Sequence, residues 1–354
     1  MKKKLIIGSR SSDLALWQTN YVKSQIEKYN GNIEVLTKLV NTKGDKILDV
    51  ALSKIGDKGL FTKELEVELL RGNIDIAVHS LKDLQTLIPE GLKLAAVTKR
   101  HDVEDVLIAK KPGTTIRTLP QEGTVATGSL RRRSQLKYIR PDINIIDLRG
   151  NVLTRIQKFL DSDWDAIILA RAGVERLKLG RYISSFINVD DIIPAVGQGA
   201  LGIEIKKDNK FADKVVQSIH HENTSIAVTA ERTLLKALEG GCQVPIGAYA
   251  EVKANGLYLS ATVGSIDGKT QYKKKIRGSR KEPQKAGEIL ANELLKAGAK
   301  KILDEIYITS RSDQRSGNDW NICKPLLNTC RKTRRVLIAA GCPDLKGHIL
   351  YPAC

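Results

Sequence analysis

The sequence predicts an α/β protein: two sheet-and-helix domains, then a small α+β domain with a three-stranded antiparallel sheet. Three observations predict it. The chain opens as strand, helix, strand; the same alternation restarts from about Asp102; and after Val244 three strand-like runs follow one another with no helix between them. Alternating strands and helices favour a mainly parallel sheet, whereas consecutive strands favour an antiparallel one.

The chain of 354 residues can bury a sizeable core and is long enough for two or three domains. Its 42% hydrophobic and 28% charged residues are ordinary for a globular protein. No apolar run approaches the about 20 residues that a membrane helix needs. Met1-Lys2-Lys3-Lys4 imitates the start of a signal peptide, but only Leu5-Ile6-Ile7 follows before Gly8, short of an apolar region of about 7–15 residues. The expectation is a cytoplasmic protein. A net charge of +18 fits a solvated surface, a nucleic-acid partner or a small polyanionic ligand, and composition does not choose among them. The five cysteines form no CxxC pair and no cluster of metal-ligand spacing, so neither a metal site nor a disulfide framework is expected.

Leu5-Ile6-Ile7 is the first strand. Asp13 to Tyr29 carries Leu14, Trp17, Val22 and Ile26 at helical spacing, with Ser12 or Asp13 placed to cap it. Ile33 to Leu39 is the second strand. The Gly8–Ser12 loop thus precedes a helix N-terminus, which favours an anion, and Arg10 adds a guanidinium able to grip a carboxylate twice. Asn41 to Leu60, rich in Gly, Lys and Asp, reads as a mobile loop. Phe61 to Leu70 is helical. Ile74, Ile76 and Val78 alternate as a strand that ends at His79-Ser80-Leu81-Lys82-Asp83, where open α/β sheets place ligands.

Gly123 to Ala126 is the next strand, and Thr127-Gly128-Ser129-Leu130-Arg131-Arg132-Arg133 leads from it into a helix. Ile143 to Leu148 ends at Arg149, with Arg155 in the helix that follows. Ala166 to Ala170 ends at Arg171. Three arginines in a row are more often a solvated face, but here strand ends repeatedly deliver arginine, which argues for a cleft lined with positive charge. Gly197-Gln198-Gly199-Ala200-Leu201-Gly202 matches G-x-G-x-x-G, yet Ile203-Glu204-Ile205 continues as strand and no βαβ unit surrounds it. Dinucleotide binding is rejected, and a crossing between domains is the better account.

Asn223 to Leu238 is helical, Val244–Val252, Leu257–Val263 and Gln271–Ile276 are strands, and Glu282 to Glu305 is a long amphipathic helix. Between the helix and the first of these strands stands Glu239-Gly240-Gly241-Cys242-Gln243-Val244-Pro245. The glycines suit a helix end, and Pro245 discourages helix from continuing, so Cys242 lies on a turn. A small buried apolar cysteine is the commoner case. Thr309 to Arg335 is polar, basic and cysteine-bearing, Val336 to Gly341 is a strand-like fragment too short to fold alone, and residues 307–354 are expected to be a disordered tail.

Several stretches together resemble one family, the porphobilinogen deaminases (hydroxymethylbilane synthases): LALWQ at 14–18, KGLFTKELE at 58–66, DIAVHSLKD at 75–83, SLRRRSQL at 129–136, LRGNVLTR at 148–155, DAIILARAG at 165–173, PAVGQGALGIE at 194–204, and TAERTLLKALEGGCQVPIGAYA at 229–250. Each motif alone is weak; the ordered set, over about residues 4 to 306, is specific. The pattern departs at Asp13 (Pro in the family), at Leu84-Gln85 (Val-Pro) and at Ala126-Thr127-Gly128-Ser129 (Gly-Thr-Ser-Ser).

The resemblance implies an enzyme that joins four porphobilinogens head to tail into hydroxymethylbilane with release of ammonia. The primer is a dipyrromethane cofactor held by a thioether, here on Cys242. Loss of ammonia leaves an azafulvene cation, and the resemblance assigns its stabilisation and the proton transfers to Asp83. His79 is expected to be structural. Each pyrrole carries an acetate and a propionate, so fixed cations are needed. Cofactor binding is expected from Lys82, Asp83, Ser129, Arg131 and Arg132, and substrate binding from Arg10, Ser12, Thr127, Arg149 and Arg155, with Lys54 and Lys58 covering the cleft. The implied fold has two domains resembling type II periplasmic binding proteins, 1–98 with 197–218 and 99–196. A cofactor-attachment domain, 219–306, and a non-family tail follow. A monomer without nucleic-acid or membrane partners is implied. Two other readings are an anion-binding protein of the same fold and a charge-driven nucleic-acid binder; neither gives a role to both Asp83 and Cys242.

Overall fold

The computed structural model describes residues 2–42, 59, 61–239 and 244–306. The chain begins with β1 (Lys3–Ser9), α1 (Asp13–Tyr29), β2 (Ile33–Leu39), α2 (Lys63–Leu70), β3 (Ile76–Ser80) and β4 (Leu92–Val97). A second series follows: β5 (Asp105–Ala109), β6 (Thr124–Ala126), α3 (Leu130–Ile139), β7 (Asn144–Ile146), α4 (Val152–Leu160), β8 (Ala166–Ala170), α5 (Arg171–Arg176) and the short β9 (Ser185–Phe186). The remainder is β10 (Leu201–Lys206), α6 (Lys210–Val216), α7 (Glu222–Ala237), β11 (Ile246–Lys253), β12 (Gly256–Gly264), β13 (Gln271–Gly278) and α8 (Pro283–Leu294).

These strands form the three expected sheets. The first has the order β2-β1-β3-β10-β4, with β1 parallel to β2 and β3, and β10 antiparallel to β3 and β4. The second, β7-β6-β8-β5-β9, repeats the plan: β6 is parallel to β7 and β8, and β5 is antiparallel to β8 and β9. A mixed five-stranded plan is thus built twice. The third sheet is the antiparallel meander β11-β12-β13.

Apolar runs became central strands because both of their faces are covered. In β8, Ile167 and Leu169 pack on one side with Val106, Ile108 and Phe159, while Ile168 packs on the other with Leu107 and Leu136. The first sheet is built likewise: Leu5, Ile7, Ile76 and Ile203 meet Val22 and Ile26 of α1, and Ala77 meets Leu65 and Leu69 of α2. Two local expectations differ. Ser12 occupies the N-cap of α1 but its side chain makes no capping bond. The last helix is not continuous: Gly298, at φ 115°, interrupts it beyond α8, because that backbone conformation cannot propagate an α-helix.

The glycines of the G-x-G-x-x-G run have a packing explanation. Gly197 (φ 71°) and Gly199 (φ 86°) need left-handed backbone, and a Cβ on Gly197 would stand 3.1 Å from the Leu81 side chain. A Cβ on Gly202 would stand 2.8 Å from Leu81 Cδ1. The run is therefore the seat of Leu81, with β10 pairing antiparallel beyond it.

Helix α7 joins the third sheet to this crossing through Glu231. Arg100 donates to both of its carboxylate oxygens, at 2.6 and 3.1 Å, and the amides of Gly197 and Ala250 donate to them at 2.7 Å each. Glu231 is fully buried. Removing one partner of such a pair strands the other in a dry interior, so Glu231→Ala is expected to cost about 3–5 kcal/mol in urea unfolding.

Candidate active site

The carboxyl ends of neighbouring parallel strands bring the predicted residues together. β1 delivers Arg10 and Ser12, and β3 delivers the turn Leu81–Asp83 beside them; Gln18 of α1 donates to Ser80 Oγ at 2.7 Å across the gap. In that turn Leu81 and Leu84 are buried, 1% and 4% exposed, and pack with Val97, Ala200 and Val228. The Leu81 amide donates to Ala200 O at 3.0 Å. Two anchored leucines thus flank Lys82 and Asp83, which are only half-buried. Arg10 lies over the Phe61 ring at 4.3 Å, so an aromatic face sets its place.

The second sheet supplies the cations. Ser129 caps α3, its hydroxyl accepting from the Arg132 amide at 3.5 Å, and Thr127 Oγ1 accepts from the Ser129 amide at 3.3 Å. A Cβ on Gly128 would stand 2.8 Å from Leu148 O, so the glycine that departs from the family pattern permits a close backbone approach. Capping places Arg131 and Arg132 in the first turn, and both are buried. They share one carboxylate: Arg131 donates to Asp105 Oδ2 at 2.8 Å and Arg132 to Oδ1 at 2.7 Å. A second donor of each reaches a carbonyl, Ile193 O for Arg131 and Ile168 O for Arg132, both at 2.9 Å, and Gln198 donates to Asp105 at 2.9 Å. Burial alone would raise the Asp105 carboxyl, but Arg131, Arg132 and Gln198 hold it far below the usual range.

Arg155, in the first turn of α4, donates to Gly150 O at 2.7 Å. Its guanidinium is lowered to about 10 by burial, and further by Arg132 and Arg149, with Asp83 opposing. Burial also lowers Arg149. Lys82 is lowered to about 8, first by burial and then by Arg132 and Arg131, against Asp83 and Asp105. Through these influences Lys82 and Arg155 lie near Asp83, Arg132 lies near both of them, and Arg149 lies near Arg155 and Asp147. Arg132 Nε and Arg149 Nη2 are buried with no hydrogen-bond partner among the described residues. Surplus positive charge with unspent donors fits a ligand rich in carboxylates.

Not every sequence expectation converges here. Arg171 turns instead to Asp102, Glu104 and Glu175. His79 faces inward, 3.0 Å from Glu204 Oε2, as a structural histidine does. Cys242, with Gly240 and Gly241, and Lys54 and Lys58 lie outside the described residues, as do 307–354; Glu239, the last described residue before Gly240, is left-handed at φ 54°. Three participants escaped sequence reasoning. Asp105 and Gln198 anchor the arginine pair. Arg232 holds the backbone that follows Asp83. The one available signal was an acidic residue opening the otherwise apolar DVLIA.

Lys82 allows a test. Its folded value lies below the unfolded one, so from about 8 to the ordinary lysine value the unfolded chain binds more protons, and stability rises with pH. The stability of wild type relative to Lys82→Met is expected to increase as pH rises through that window, measured by urea unfolding at several pH values without added pyrroles.

Comparison with known proteins agrees with this chemistry. Residues 5–214 match the family model described as porphobilinogen deaminase, dipyromethane cofactor binding domain, and residues 225–296 match porphobilinogen deaminase, C-terminal domain. A porphobilinogen deaminase of Carboxydothermus hydrogenoformans is 52% identical over 306 residues, covering 86% of this chain and 98% of the relative. One from Chlorobium phaeobacteroides is 50% identical over 313 residues, 87% of this chain and 100% of the relative. With the first family model alone spanning more than half of its length, the chain belongs to the porphobilinogen deaminase family.

Proposed function

We propose that Asp83 is the catalytic carboxylate, and the cations around it the substrate and cofactor clamp, of an enzyme that condenses four porphobilinogens into hydroxymethylbilane with release of ammonia. The observation that carries this reading is the pair Arg131 and Arg132 fixed on the buried Asp105, with a donor of Arg132 unspent, beside a turn that holds Lys82 and Asp83 between two buried leucines. Dipyrromethane, when bound through Cys242, supplies the nucleophilic pyrrole carbon at which the chain grows. Lys82, Ser129, Arg131 and Arg132 hold its acetates and propionates; Arg10, Ser12, Thr127, Arg149 and Arg155 take those of the incoming substrate. The unspent donors of Arg132 and Arg149 suit these anions.

Asp83 then has two tasks. Its negative charge stabilises the cation left on the substrate as ammonia departs, and its oxygens move a proton on and off the reacting pyrroles. The anchoring of Leu81 and Leu84 keeps that carboxylate from swinging away. Residues 1–98 with 197–218, 99–196 and 219–306 act as three domains around the site. Carboxylates account for part of the +18 charge without a nucleic-acid partner, and the enzyme works as a cytoplasmic monomer.

Asp83→Asn is expected to keep its bound pyrroles and fold while losing turnover of porphobilinogen by about 10²–10⁴-fold; turnover near wild type would remove Asp83 from the role. Cys242→Ala is expected to show, in the mass of the denatured protein, none of the added two-pyrrole mass that wild type carries. Normal pyrrole content in that variant would place the attachment elsewhere.

A further inference from the structure

Arg232 makes the tie between the helix that leads to Cys242 and the backbone that leads away from Asp83. It lies on α7, five residues before the end of that helix, and the chain reaches Cys242 five residues after it. Its guanidinium donates to Leu84 O at 3.0 Å and to Gln85 O at 2.6 Å, the two carbonyls directly after Asp83. A cavity of about 240 Å³, lined by Thr86, Leu94, Thr229, Thr233, Lys236 and Arg232 itself, separates much of the loop from the helix. Leu84 also packs with Val228 of the same helix.

We propose that Arg232 is a positioning residue, which keeps the Asp83 carboxylate in register with the pyrrole chain carried on Cys242; this rests on the roles given above to Asp83 and Cys242. The physical need is plain. Asp83 lies in the turn after strand β3 of the first sheet, whereas Cys242 follows α7 in sequence, so their separation depends on what joins the two. A planar fork of donors spanning two successive carbonyls fixes both the position and the orientation of the loop, which a contact between two aliphatic side chains does not. Glu231, the preceding residue, grips the amide of Gly197, so adjacent residues of α7 hold both the seat of Leu81 and the exit from Asp83.

The departure at Leu84-Gln85 adds to the argument. A proline at 85 would fix φ there and stiffen the turn; glutamine leaves it free. In this chain the restraint comes from Arg232, whose acceptors are main-chain atoms and do not depend on the side chains at 84 and 85.

The test uses holoenzyme purified with its pyrroles attached. Arg232→Gln is expected to retain full pyrrole content and to lose kcat about ten- to a hundredfold with KM little changed, since displacement of a catalytic group slows the chemical step. Amide exchange is expected to quicken in the peptide over 81–87 and to stay unchanged in β1. Adding Gln85→Pro to that variant is expected to recover part of kcat, and Lys236→Gln, on the same helix, to behave as wild type. Unchanged kcat in Arg232→Gln overturns the proposal, as does a loss that Gln85→Pro leaves untouched. A loss traced wholly to missing pyrroles makes Arg232 a cofactor-assembly residue instead and overturns it too. If wild type turns over porphobilinogen but Asp83→Asn does so equally well, the reading of Asp83 has failed, and the coupling falls with it.

Discussion

The site depends on one buried carboxylate. Two guanidiniums in the first turn of a helix, both out of water, repel each other and lose their hydration; alone they would be too costly to hold there. Asp105 makes the arrangement possible by offering one oxygen to Arg131 and the other to Arg132, with Gln198 fixing its own orientation. The trio retains a net positive charge, and Arg132 still has a donor to spend. Asp105 therefore does not cancel the site's attraction for anions. It turns two mobile side chains into fixed ones, so that less ordering remains to be done when a carboxylate arrives.

The same economy appears at the turn carrying Asp83. Leu81 and Leu84 are embedded in apolar packing, and two glycines of the crossing segment exist in part to let Leu81 approach. The Asp83 carboxylate is thus displayed between two hydrophobic anchors, each buried in the fold. Glu231 and Arg232, one after the other on α7, then join this turn and the crossing to the domain that bears Cys242. Adjacent residues of one helix face different neighbours, which is how a single element holds two others in register.

Legibility of the fold followed burial. Runs such as Ala166–Ala170 announced themselves because both faces of a central strand are apolar, and α1 did so through Leu14, Trp17, Val22 and Ile26. The kink at Gly298 was hidden, because a lone glycine in a helical pattern is tolerated as often as it breaks one. At the site, Asp83 and the arginines were legible as polar residues at strand ends. Arg171 shared that signature and turned elsewhere, because Asp102, Glu104 and Glu175 were nearer partners.

What the sequence determined by itself was local or additive: the order of strands and helices, the positive charge, and the placing of polar residues where strands end. Each of these depends on neighbours a few positions away or on composition. Tertiary structure alone decided which arginines share a carboxylate, that Leu81 closes on Gly197 and Gly202, and that Arg232 reaches the carbonyls after Asp83. Those pairs are separated by many residues along the chain, and their energies are those of desolvation and contact. Such terms exist only once the backbone has brought the partners together and water has left between them.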